Sequence, residues 1–178
     1  TQGIVDDIVN RGFDKNKIHL LTNGVDTKLF KKENRDENFR REIGIENKFA
    51  LCYAGIHGIA QGLEVIINAA EIVKDEENIQ FIFVGDGPEK QDLINLVKEK
   101  ELTNVTFLPL QPKTNMPKIV ASMDAAIIPL KKLELFKGAL PSKMFETLAS
   151  EVPIILPVQG EAAKLINNAN AGIVVEPE

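Results

Sequence analysis

The chain has 178 residues, 44% of them hydrophobic and 26% charged, with a formal net charge of −5. That length suits one well-buried domain; the acidic balance lacks the basic field that holds nucleic acid or an anionic membrane surface, and no apolar run is long enough to cross a bilayer. Neither nucleic acid nor membrane is therefore expected as a partner of this chain, and its single cysteine, Cys52, suits a reducing compartment, so a cytoplasmic location is expected.

In chain order, the run Ile18-His-Leu-Leu21 reads as the first buried strand. The polar stretch from Lys31 to Asn38 reads as a surface excursion before a short helix ending near Gly44. Further strands are expected at Ala50-Leu-Cys-Tyr53, Ile79-Gln-Phe-Ile-Phe-Val84, Val105-Thr-Phe-Leu108, Ala125-Ala-Ile-Ile128, Ile154-Ile-Leu156 and Ile173-Val-Val175. Between them Leu63, Ile66, Ile67, Ala70 and Val73 recur on one face of a helix, and helical periods follow over about 88–100, 114–122, 142–150 and 160–169. Strands alternating with helices specify an α/β fold, a Rossmann-like doubly wound parallel sheet. In that class a ligand lies beyond the carboxyl ends of the strands, where loops and helix N-termini converge.

Four such loops stand out. Gly55-Ile-His-Gly-Ile-Ala-Gln-Gly62 follows a strand and opens a helix, so its glycines and free N–H groups suit a close approach to an anion. It matches neither an ATPase P-loop nor a dinucleotide fingerprint, and a plain glycine-requiring turn explains it equally well. His57 within it reads as a hydrogen-bonding or solvated group as readily as a functional one. Gly85-Asp-Gly-Pro-Glu-Lys90 is sufficiently explained as a turn with Pro88 near a helix start. The stretch from Lys131 to Glu146 is the most informative. It places Pro141 at the first turn of a helix whose buried face is expected to be Met144, Phe145, Leu148 and Ala149, with Lys143 in that first turn. A cation there opposes the helix dipole unless an anionic ligand neutralises it, as a diphosphate would. Lys143 and Glu146 share a face and could hold a phosphate and a hydroxylated group side by side; an i,i+3 salt bridge on a wet surface is the competing account. Pro157-Val-Gln-Gly-Glu161 completes the set at the same sheet edge. No metal-ligand spacing occurs, so no metal or other cofactor is expected.

These loops, taken in order, resemble the C-terminal domain of group 1 (retaining, GT-B) glycosyltransferases. The resemblance is carried by Ile18-His-Leu-Leu-Thr-Asn-Gly-Val-Asp26, Tyr53-Ala-Gly55, Gln61-Gly-Leu-Glu64, Phe83-Val-Gly-Asp-Gly-Pro88, Gly138-Ala-Leu-Pro-Ser-Lys-Met-Phe-Glu-Thr-Leu-Ala149, Val152-Pro-Ile-Ile155 and Ala171-Gly-Ile-Val-Val-Glu-Pro177. Within the family it is most similar to amino-sugar transferases of the colanic-acid and O-antigen type. The resemblance implies that residues 1–178 are the nucleotide-sugar-binding half of a larger enzyme. The donor would be UDP-linked, transferred with retention in polysaccharide or glycoconjugate synthesis, and the acceptor-binding N-terminal domain would be the missing partner. It also implies a donor site at Gly55, His57, Gln61, Gly138, Pro141, Ser142, Lys143 and Glu146, with Glu146 on the ribose hydroxyls and Lys143 and Ser142 facing the diphosphate. Two departures stand out: Gly138 replaces the first of two glutamates that many members carry with seven residues between them, and Gln61 replaces a common lysine. An epimerase of GT-B architecture and a non-catalytic nucleotide-binding domain are the alternatives.

Overall fold

The computed structural model describes residues 1–177, so Glu178, the last residue of the expected domain, lies outside them. Six strands, β1 (Phe49–Ala54), β2 (Ile79–Val84), β3 (Val105–Leu108), β4 (Ala125–Ile127), β5 (Ile154–Leu156) and β6 (Gly172–Val174), form one sheet in the order β3-β2-β1-β4-β5-β6. Every pairing is parallel, with Leu51 opposite Phe81 on one side and Ala125 on the other.

Alternation along the strands sends side chains to two buried layers. Leu51, Tyr53, Phe81 and Phe83 meet Leu63, Ile66, Ile67 and Ala70 of α3 (Glu64–Ile72) and its lead-in, and Leu93 and Val97 of α4 (Lys90–Glu99). Ala50, Cys52, Ile82 and Val84 face Ile119 of α5 (Met116–Ala121) and the neighbouring Met123. Ala126, Ile128, Ile154 and Leu156 continue that second layer against Met144 of α6 (Ser142–Ala149) and Ala162 and Ile166 of α7 (Glu161–Ala169). Helices thus cover both faces, which makes this the doubly wound sheet expected from the alternation of apolar runs.

The polar excursion ends in α2 (Glu37–Glu42), capped by the Asp36 carboxylate, which accepts from the N–H groups of Asn38 and Phe39. α2 is fastened to the second layer by Arg40, only 3% exposed. Its guanidinium donates to the carbonyls of Ser122, Ile45 and Lys48 and lies 3.1 Å from Asp124, whose carboxylate in turn accepts from the Ala50 N–H at the start of β1.

Two elements differ from the sequence reading. Ile18-His-Leu-Leu21 is not a strand; it runs without regular structure and leaves Leu21 92% exposed. A strand needs a partner for its N–H and C=O groups, and this segment pairs with neither edge of the sheet, β3 or β6. An amphipathic helix, α1 (Gln2–Asn10), forms where none was expected. None of its residues is buried, and its start is tied down by the Thr1 hydroxyl donating to the Gly138 carbonyl and the Gly3 N–H donating to Glu161.

Candidate functional site

The strand order reverses between β1 and β4: the helices following β1 and β2 cover one face, and those associated with β4 and β5 the other. Loops leaving this point diverge and open a crevice. A cleft of about 770 Å³ lies there. Its walls are the turn after β1 (Ala54, Gly55, Ile56, Gln61), the turn after β2 (Gly85, Asp86, Gly87), Leu110 and Gln111 after β3, Met116 at the start of α5, and Pro141, Ser142, Lys143 and Glu146 at the start of α6.

The start of α6 is uncapped by any side chain: Pro141 occupies the cap position, and no acidic residue lies in the first turn. Its leading N–H groups and the positive end of its dipole therefore face the cleft. Met144 and Thr147 form the buried face of α6, whereas Phe145, Leu148 and Ala149 are only half-buried, a correction to the expected face. The shift turns Lys143 inward. Its Nζ donates to the Tyr53 hydroxyl at 2.9 Å and stands 4.1 Å from the centre of the Tyr53 ring. No ion pair joins Lys143 to Glu146 among the described residues, so the surface salt bridge weighed in the sequence is not formed. Burial pushes the Lys143 ammonium down to about 8, against the pull of Glu146. Burial raises the Glu146 carboxyl, with Lys143 and Lys113 opposing it.

Gly55, Gln61, Pro141, Ser142, Lys143 and Glu146 are thus brought to one cleft. The other two expected residues are not. Gly138 is covered by α1: a Cβ there would lie 3.2–3.4 Å from the backbone of Gly3 and Ile4. The His57 side chain is fully buried among Tyr53, Phe83 and Phe107, at ring separations of 5.8, 6.0 and 6.2 Å, and both its ring nitrogens are unpartnered. Burial, reinforced by Lys90, pushes it down to about 4, so it is neutral at neutral pH. Its backbone is committed as well, with its N–H donating to the Asp86 carbonyl and its C=O accepting from Glu89. Gly87 is needed there, because a Cβ would come within 2.4 Å of the His57 carbonyl oxygen. The turn after β2, which the sequence explained as merely structural, therefore lines the cleft by nesting on the turn after β1.

Sequence reasoning also passed over Tyr53, Leu110, Gln111 and Met116. The signal for Leu110 and Gln111 was their position directly after a parallel strand; Tyr53 is visible only once its strand and α6 are brought together. Gly160 packs against the Lys137 carbonyl instead of opening to the cleft. Among the described residues no three His, Cys, Asp or Glu side chains are placed to hold a metal ion, and no helix is long and apolar enough to cross a membrane.

A parallel α/β sheet of this order, with a basic, uncapped helix start at its switch point, defines a Rossmann-like class of domain whose crevice suits an anionic ligand. The family model described as glycosyl transferases group 1 matches residues 34–178, and the chain belongs to that family. It is 35% identical over 104 residues to the protein described as the colanic acid biosynthesis glycosyl transferase WcaI of Escherichia coli (strain K12), covering 58% of this chain and 25% of that protein. It is 26% identical over 147 residues to the alpha-D-kanosaminyltransferase of Streptomyces kanamyceticus, covering 82% of this chain and 37% of that protein. The chain thus spans well under half the length of these relatives. Among solved structures, Anabaena Alr3699/HepE in complex with UDP and glucose superposes with a TM-score of 0.82 at 19% identity, over 99% of this chain and 48% of that one. The C-terminal domain of the group 1 glycosyl transferase LpcC from Francisella tularensis gives 0.72 at 20% identity, over 87% of this chain and 81% of that one. At these identities the structural likeness carries the fold alone, the Rossmann-like sheet of the GT-B architecture.

Proposed function

We propose that residues 1–178 form the donor-binding domain of a glycosyltransferase, taking a nucleotide-sugar in the cleft while a second domain, outside this chain, binds the acceptor. The observation that carries this reading is the ammonium of Lys143, half-buried at the uncapped start of α6 with no carboxylate of the described residues in ion-pair contact. A buried cation beside free N–H groups is stabilised by an anion, and a diphosphate supplies charge to both at once. Glu146, one turn further into α6, lies where a ribose could present its hydroxyls to the carboxylate. Leu110, 69% exposed, and Met116 offer an apolar face for the base.

The chemistry assigned to this half is electrostatic. Transfer leaves a nucleoside diphosphate, and Lys143 with the α6 N-terminus would stabilise the charge that develops on its phosphates, without a metal. UDP as the carrier is supported by the complexes of Anabaena Alr3699/HepE with UDP and with UDP-glucose. Retention, and an amino-sugar donor in polysaccharide assembly, are supported by the family resemblance and by the two transferases of similar sequence.

Calorimetric titration with UDP, GDP and ADP tests the reading. One nucleotide, expected to be UDP, should bind saturably, and Lys143→Ala and Glu146→Ala should each weaken it about tenfold or more, the loss of a charge-assisted contact. Binding indifferent to both substitutions would place the donor elsewhere.

A further inference from the structure

We propose that Tyr53 is the positioning residue for Lys143: its hydroxyl and ring hold the ammonium on the floor of the cleft, beside the α6 N-terminus, and tie it to the turn after β1. The inference rests on the diphosphate reading of that cleft and names the residue that readies the cation for it.

Tyr53 is the chain's single tyrosine, and it is 1% exposed. Its hydroxyl has one proton, which goes to the Ile56 carbonyl at 2.6 Å; a lone pair is then left pointing at Nζ of Lys143, 2.9 Å away. The hydroxyl is thereby an acceptor for the charged form of the lysine, and the ring beneath it, 4.1 Å from Nζ, adds a second attraction to the same charge. Burial pushes the phenol upward, so Tyr53 stays neutral and keeps this donor and acceptor arrangement throughout the working range. The space above the ring is reserved for the ammonium: a Cβ on Gly55, whose φ is +147°, would lie 2.6 Å from Nζ and 3.4 Å from the tyrosine oxygen.

The groups facing Lys143 from each neighbouring element leave the tyrosine as the deciding contact. From β1, Cys52 is a thiol pushed up to about 12 by burial and carries no charge at neutral pH. From the turn after β1, His57 is neutral. From α6 itself, Glu146 attracts the ammonium without pairing with it. A lysine left free in the cleft would lose its rotamer freedom on meeting a ligand; one already seated on Tyr53 has met that cost in folding. Because the same hydroxyl holds the Ile56 carbonyl, the lysine and the turn move together.

The test is Tyr53→Phe, which keeps the ring in the core and removes the hydroxyl. In the ligand-free protein, NMR titration of the Lys143 side chain should show its midpoint falling by about one pH unit, because an acceptor for the charged form has been removed. In wild type the Lys143 ε protons should be shifted upfield by the ring, a readout that needs no variant. In calorimetry the pH midpoint of UDP binding should move down with the lysine, weakening binding about fivefold at pH 8 and less at pH 7. An unchanged Lys143 midpoint in Tyr53→Phe, an absent ring shift, or a loss of affinity equal at every pH overturns the proposal. Absence of UDP binding in wild type overturns the donor reading instead, and the ligand-free titration still decides the role of Tyr53.

Discussion

The affinity for a nucleoside diphosphate should fall as pH rises above neutrality, and the size of the fall follows from one group. Lys143 has its free-state pKa held at about 8 by burial, well below its ordinary 10.5. Of the two forms of Lys143 only the ammonium attracts phosphate, so binding favours the protonated lysine and raises its pKa in the complex. Affinity then follows the protonated fraction of the free protein, about nine-tenths at pH 7 and about one-tenth at pH 9, which amounts to a loss of about tenfold over that interval. The perturbation is Lys143→Met, which retains much of the stem and removes the titrating charge. Its affinity should start lower at pH 7 and stay level to pH 9, so that titration of the nucleotide itself, common to both proteins, cancels in the comparison. Isothermal calorimetry in buffers of different ionisation enthalpy adds a direct count: wild type should take up close to one proton per ligand at pH 9, and Lys143→Met none at this position. An affinity level across the interval in wild type, or an equal slope in the variant, would refute the assignment of Lys143 as the phosphate-facing cation.

Three further outcomes follow from the same structure. Arg40→Met should lower stability by about 3–5 kcal/mol, because buried carbonyls and Asp124 lose their partner at once, while leaving UDP affinity unchanged; urea denaturation with an unaltered m-value measures it, and a change below about 1 kcal/mol contradicts the buried node. His57 is pushed down to about 4 from 6.5, so the neutral form is the one the fold accommodates. Stability should therefore be lost as pH falls from about 6.5 to about 4, by about 3 kcal/mol in all, and denaturation of His57→Phe over that range should lack this component. Cys52 should resist maleimide at pH 8 in the folded protein and react fully in urea, since its thiol is buried and pushed up to about 12; labelling of the native protein at the rate of free cysteine would contradict its burial.

Much of this domain is legible in its sequence, for reasons of periodicity. Runs such as Ile79–Val84 are short and mostly apolar on both faces, as a strand covered on both sides requires, and Leu63, Ile66, Ile67 and Ala70 repeat at the helical period. Both signals are local, and both elements form where expected. Ile18-His-Leu-Leu21 carries the same local signal and fails, because whether a strand forms depends on an edge to pair with, a property of the whole sheet. At the site, Pro141 to Glu146 marked a helix start with an unusual charge, Lys143 in its first turn, a conflict between a cation and a dipole that is visible along the chain itself, and α6 starts there. His57 could not be placed that way: a histidine between two glycines reads as a loop residue, yet nesting of Gly87 on its backbone carries its ring into the aromatic layer.

The amino-acid sequence by itself thus determined the order and kind of the elements from β1 to β6, the edge of the sheet where the glycine-bearing loops gather, and the helix that starts there, because each depends on residues within a few positions of one another. Only the tertiary structure decided which loops share the cleft, that Gly138 is covered and His57 buried, and that Lys143 leans on Tyr53, ninety residues earlier in the chain. Those are contacts between distant segments, and side-chain direction, burial and charge are settled only when the segments meet.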